Sequence, residues 1–192
     1  MSQSIDKECK FLLIDFLGRA AISILLLCSM GAGATVFANS PGEVPIGAPL
    51  REATLLGLNG PARNLSEFRG KPLIINVWAS WCGPCRAEMA SLERLAWLDP
   101  AGRFVIIGIS TDDYPDQAKS LLTKSNATIS QFIDTHLQME SMLGASRLPL
   151  TVLVDANGRV LDKISGARQW DDAASLRLIG KHFGIRVIAP AP

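Results

Sequence analysis

Downstream of Gly70 the spacing of apolar residues changes several times, and each change predicts an element. Pro72 to Ala79 (PLIINVWA) is apolar on both alternating faces except at Asn76, the pattern of a central strand covered on both sides. After Cys82, the residues Cys85, Met89, Leu92 and Ala96 recur at helical spacing and predict a helix from about Pro84 to Leu98. Phe104 to Ser110 (FVIIGIS) reads as a second buried strand, and Pro115 suits the first turn of a helix running to about Ser125. Ile129 to Ile133 is too short to assign, whereas Gln138 to Gly144 reads as helix. Leu150 to Asp155 and Arg159 to Ser165 read as strands joined by the tight turn Ala156-Asn157-Gly158. Asp171 or Asp172 caps a last helix with Leu176, Ile179 and Phe183 on one side. Upstream, Leu50 to Leu58 reads as a strand closed by the turn signal Asn59-Gly60, and Ser66 caps a short helical turn ending near Gly70. The order β-β-α-β-α-(α)-β-β-α, with parallel crossovers first and an antiparallel hairpin last, is that of a three-layer α/β domain with a mixed sheet.

The N-terminal pattern is of another kind. Ala20 to Ala38 contains no charged residue, and its densest part, Ala20 to Met30, is long enough for the apolar region of a signal peptide. The whole run approaches the length of roughly 20 residues that a spanning helix needs. Val36-Phe37-Ala38 offers small residues for cleavage before the loop-like Asn39-Ser40-Pro41, which favours a cleaved signal. Lys7, Lys10 and Arg19 are balanced by Asp6, Glu8 and Asp15, which leaves membrane anchoring through residues 20–38 as the alternative. Leu27 is too large for a lipid-attachment signal at Cys28. Residues 1–38 are thus expected to be signal or anchor, 39–49 (NSPGEVPIGAP) a linker, and 50–188 the folded domain. Either reading of the leader puts the domain in the periplasm or on the outer face of the cytoplasmic membrane. This leader also inflates the hydrophobic content of 48% in a chain of 192 residues. A net charge of +1 gives no sign of a nucleic-acid partner.

Of the four cysteines, Cys9 and Cys28 precede or fall within the leader, so the domain keeps only Cys82 and Cys85. So short a loop removes little chain entropy, which makes a structural staple a poor explanation of the pair. Zinc would need two more ligands, and His136 and His182 show no ligand spacing, so no metal is expected. What remains is a redox pair. Cys82 lies where the helix begins, so free backbone N–H groups and the helix dipole favour its thiolate, and Arg86 adds positive potential. Cys85, one turn in on the face of Met89 and Leu92, is then the resolving thiol. Glu88 shares that face, where burial would raise its pKa and let it shuttle the thiol proton; a solvated helix glutamate is the plainer alternative. Trp81 and Trp78 are groove candidates, Trp78 equally a core residue, while Trp97 and Trp170 are expected to be packing. Asn64-Leu65-Ser66 and Asn126-Ala127-Thr128 fit a glycosylation pattern that carries little weight by itself. With no G-x-G-x-x-G after a strand, no flavin or nicotinamide is expected, and the cysteine pair itself is the redox group.

This element order, with Trp81-Cys82-Gly83-Pro84-Cys85 between the central strand and its helix, resembles the thioredoxin fold with an N-terminal β-hairpin added. Gly70-Lys71-Pro72, the run Asn76 to Glu88, Leu148-Pro149 and Val152 to Gly158 together resemble the TlpA/ResA-like extracytoplasmic thioredoxins over roughly residues 45–185. The resemblance implies a cis peptide at Pro149 and exposed Leu148 backbone beside Cys82, ready to pair with an extended substrate strand. Trp81, Gly83, Pro84, Leu148 and Pro149 are the substrate-binding candidates. Asn76 stands where cytoplasmic thioredoxins resemble one another in carrying a buried Asp, which leaves the proton role to Glu88. Two residues depart from the family pattern: Ala90, where a helix-kinking Pro is frequent, and Leu150, expected to alter the groove surface where Thr is frequent. The resemblance further implies a reductase of protein disulfides, as in cytochrome c maturation or metal-site assembly, supplied with electrons by a membrane partner. A redox-inactive binding module and a thiol peroxidase are the alternatives; the intact pair argues against the first and the lack of a third domain cysteine against the second.

Overall fold

The computed structural model describes residues 42–99 and 101–187, so the leader, with its signal or anchor reading, lies outside the described residues. Strands β1 (Thr54–Gly57) and β2 (Arg63–Asn64) form the expected hairpin and lead through a 3-10 turn (Leu65–Phe68) into β3 (Leu73–Trp78). Helix α1 (Gly83–Trp97), β4 (Val105–Ser110), α2 (Pro115–Ser125) and β5 (Ser130–Ile133) follow, then α3 (Gln138–Leu143), β6 (Leu150–Val154), β7 (Val160–Ser165) and α4 (Ala173–Phe183). The seven strands make one sheet in the order β2-β1-β5-β4-β3-β6-β7. β3 pairs parallel with β4 and β4 with β5, while β6 and β7 add antiparallel on the other side of β3. No helix among the described residues is long and apolar enough to cross a membrane.

The all-buried β3 places alternate residues on two faces, as strand periodicity requires. Leu73, Ile75 and Val77 join one core with Leu55, Phe68, Met139 and Leu143. On the other face Ile74 packs with Leu92 and Leu95 of α1, and Trp78 with Cys85 and Met89. Asn76 lies between Ile74 and Trp78 on that face, so the one polar residue of the strand is held beneath α1. α1 runs unbroken through Ala90.

Four expectations need correction. Residues 42–49 do not behave as a free linker: Val44 is buried in the core, its N–H donates to the Met142 carbonyl at 2.9 Å, and Gly47 N–H donates to Val160 at 2.8 Å. The short 3-10 turn is entered through Asn64, not Ser66; Asn64 N–H donates to Glu67 Oε1 at 2.7 Å, while Ser66 N–H is taken by Glu52 Oε1 at 2.7 Å. Leu150 points into the core and is buried, so it does not shape the groove. Trp97 is 73% exposed at the end of α1, so it is not a core residue. Ile129 to Ile133, which the sequence leaves unassigned, is mostly strand β5, held between β1 and β4 by hydrogen bonds that no local pattern announces.

Candidate active site

Cys82 is the N-cap of α1, and Cys85 N–H donates to its Sγ at 3.2 Å. The two cysteines form a disulfide. Their settings differ. Trp81, Gly83 and Pro84 around Cys82 are exposed, and Cys82 lines an open groove of about 750 Å³ shared with Trp81, Leu137 and Leu148. Cys85 is fully buried among Trp78, Ala79 and Met89. The peptide between Leu148 and Pro149 is cis, with Pro149 buried and Leu148 half-buried at the groove. The geometry thus brings Cys82, Trp81, Gly83, Pro84 and Leu148 to one surface, and sets Cys85 and Glu88 behind it.

Glu88 is 1% exposed, one helical turn beyond Cys85. Its Oε1 accepts from Asn76 Nδ2 at 2.8 Å, and its Oε2 accepts from Trp170 Nε1 at 3.0 Å and from Arg168 N–H at 3.1 Å. Burial raises its pKa above the usual 4.5, and the donors from Asn76, Trp170 and Arg168 oppose that rise without cancelling it. Asn76 Nδ2 also contacts Thr151 Oγ1 at 3.0 Å, a pairing set by the register that puts Thr151 beside Asn76. Asn76, neutral and amide-bearing, can donate to the carboxylate without adding a second buried charge.

A further carboxylate holds the approach to Cys82. Asp112, buried just past the end of β4, accepts from Ser80 N–H at 2.9 Å, Ser80 Oγ at 2.6 Å and Ser110 Oγ at 2.6 Å. β3 and β4 are parallel, so their C-terminal ends lie side by side, and Ser80 and Asp112 meet there. Arg86 turns back onto the Ser80 carbonyl at 3.1 Å, fastening the same segment. Asp112 was not among the sequence-derived candidates; a polar residue directly after a buried parallel strand is the signal that points to it. Trp170 was read as packing alone, yet its indole N–H serves Glu88 and its backbone N–H donates to Ser91 Oγ at 3.0 Å. His136 is exposed, and His182 pairs with Asp162 at 3.2 Å on the surface of α4.

A Redoxin family model matches residues 45–177. The thiol:disulfide interchange protein HelX of Rhodobacter capsulatus is 32% identical over 151 residues, covering 74% of this chain and 84% of HelX. The interchange protein DsbE of Pseudomonas aeruginosa is 36% identical over 132 residues, covering 66% of this chain and 71% of DsbE. The thiol-disulfide oxidoreductase ResA of Geobacillus thermodenitrificans is 29% identical over 157 residues, covering 80% of this chain and 89% of ResA. Among solved structures, a Chlorobium tepidum chain assigned as a thiol:disulfide interchange protein DsbE aligns with a TM-score of 0.67 at 26% identity, over 72% of this chain and 98% of that one. With the matched region spanning the sheet and holding a cysteine pair at the head of α1, the chain belongs to the Redoxin family and is a thiol–disulfide oxidoreductase with a thioredoxin-like fold.

Proposed function

We propose that the chain is an extracytoplasmic reductase of protein disulfides, acting in a process such as cytochrome c maturation or metal-site assembly. The observation that carries this reading is the asymmetry of the pair: Cys82 lines an open groove beside Leu148-Pro149, and Cys85 is sealed behind it next to a buried Glu88. In the reduced chain the Cys82 thiolate attacks one sulfur of a substrate disulfide; the substrate S–S bond breaks, a Cys82–substrate disulfide forms and the other substrate sulfur leaves as a thiolate. Cys85 then gives its proton to Glu88 and its thiolate attacks Cys82 Sγ, closing the Cys82–Cys85 disulfide and releasing the second substrate thiolate. Two electrons pass from the pair to the substrate, and the two thiolates take up the two protons the pair has lost. The N–H of Cys85, already directed at Cys82 Sγ, stabilises negative charge on that sulfur.

The pair is the only redox group this cycle needs, so electrons return through a second thiol partner, in our reading a membrane protein. Extracytoplasmic placement is supported by the uncharged run from Ala20 to Ala38, acting as cleaved signal or retained anchor. The Gly83-Pro84 dipeptide between the cysteines matches that of strongly reducing thioredoxin, which supports reduction over oxidation. The test is reduction of insulin by the pre-reduced chain, with wild type beside Cys82→Ser. Reduction by wild type alone is expected. A wild-type chain that instead oxidises reduced substrates, with a potential near that of DsbA, contradicts the proposal.

A further inference from the structure

The groove that holds Cys82 has a second wall, made by the turn between β5 and α3 and by the loop before Pro149, which the redox pair does not explain. Leu137 is its unusual member. A φ of 52° and ψ of 27° put it in the left-handed region, which the Cβ of a leucine disfavours and which glycine or asparagine enters readily. The other non-glycine residue with positive φ among those described is Asn126, a residue suited to that conformation. Leu137 is also 41% exposed, although leucine belongs to the residues that gain most from burial. Leucine is therefore unfavourable here in both backbone and solvation.

The backbone of this turn is held by other groups. Leu137 N–H donates to the Asp134 carbonyl at 3.0 Å, and the Asp134 carboxylate accepts from Gln138 N–H at 2.9 Å and Glu140 N–H at 2.8 Å. Those bonds fix the turn whatever side chain stands at position 137, so they account for the conformation and not for the leucine. What the leucine adds is apolar surface in the groove that contains Cys82, beside that of Trp81, 68% exposed, and of Leu148, Pro84 and Ala145. The charged lining residues are Asp113, Glu140 and Arg147, two acids against one base, so the apolar contact at Leu137 is read beside a small acidic excess. Strained residues persist where function retains them.

We propose that Leu137 is a specificity-determining residue: together with Trp81 it takes up a large apolar side chain adjacent to the cysteine of an extended substrate segment. The inference rests on the reductase reading above and names its substrate class, disulfides whose cysteine is flanked by an apolar residue.

The test uses two synthetic peptide–glutathione mixed disulfides, identical except for phenylalanine or serine next to the cysteine, and hydroxyethyl disulfide as a small reference. Each is reduced by the full pre-reduced chain as wild type, L137N or L137M. Wild type is expected to reduce the phenylalanine peptide about tenfold faster than the serine peptide, the size of a partly buried apolar contact. L137N, with a residue that relaxes the backbone, lowers the preference severalfold without lowering the melting temperature, Trp81 keeping the remainder, and L137M retains it in full. All three reduce hydroxyethyl disulfide at the same rate. A preference unchanged in L137N, equal rates for both peptides in wild type, or a slowed reaction of L137N with hydroxyethyl disulfide overturns the assignment while leaving the reductase reading in place. A wild-type chain that reduces none of the three disulfides overturns both.

Discussion

The two sides of the Cys82–Cys85 disulfide are built on opposite principles. Behind it, Glu88, Asn76, Thr151 and Trp170 are buried polar groups, each hydrogen-bonded within the set. In front, Trp81 and Leu137 leave apolar surface in solvent, and Leu137 does so from a disfavoured backbone conformation. An unpaired polar group behind would cost about 1–3 kcal/mol, so that region is closed and exact in its partners. The front gains its energy only when a substrate covers it. The contrast fits the division of labour proposed above, in which the rear takes the proton from Cys85 and the front selects the disulfide.

Substitutions can break this division, and they rank by expected effect. Cys85→Ser leaves turnover undetectable and accumulates a Cys82–substrate adduct, which mass spectrometry of the reaction mixture identifies. An adduct on any other residue dissolves the front-and-rear distinction at its root. Glu88→Gln follows, with a loss in turnover on the order of 100-fold, the usual contribution of a positioned proton carrier. The same substitution has a signature in stability. Burial lifts the Glu88 carboxyl above 4.5 in the folded chain, so between the unfolded and folded values the folded state holds a proton the unfolded state has released. Stability conferred by that proton is complete below the unfolded value and is lost as pH rises through the folded one. Chemical denaturation at several pH values should show this decline in wild type and not in E88Q.

The two tryptophans sharpen the comparison. Trp81→Ala is expected to slow reduction of protein disulfides about tenfold while leaving the pH profile in place. Trp170→Phe removes one donor to Glu88, which raises the carboxyl further and moves the acid limb of the pH profile upward, by less than about one unit for a single hydrogen bond of about 1 kcal/mol. Rates on small and protein disulfides should stay in the same ratio in W170F. A ratio changed by W170F, or a pH profile moved by W81A, would show that the two sides are not separate.

Much of this site was legible in the sequence because it is local. Cys82, Cys85 and Glu88 fall on one helix, and helical spacing alone puts the last two on the buried face. Asn76 stood out as the one polar residue of an otherwise apolar strand. What escaped is what folding brings together from afar. Trp170 meets Glu88 across 82 residues, and Asp112 meets Ser80 across 32, so neither pairing leaves a periodic trace. Val44 looked like one apolar residue in a Pro- and Gly-rich linker because its partner, Met142, lies in a distant helix. Leu137 escaped for another reason. Left-handed backbone is ordinarily announced by glycine or asparagine, and here neither is present. Leu150 was misplaced by one face, since strand alternation turns it toward the core and Thr151 toward Asn76.

The most direct test of the central claim, that a buried carboxyl behind the pair takes the proton of the resolving thiol Cys85, is the rate at which Cys85 closes a preformed Cys82–peptide mixed disulfide across pH, in wild type and E88Q. The account predicts two inflections in wild type, one from the thiol and a lower one from a carboxyl displaced above 4.5, with the lower one absent in E88Q. Superimposable curves for the two proteins would contradict it.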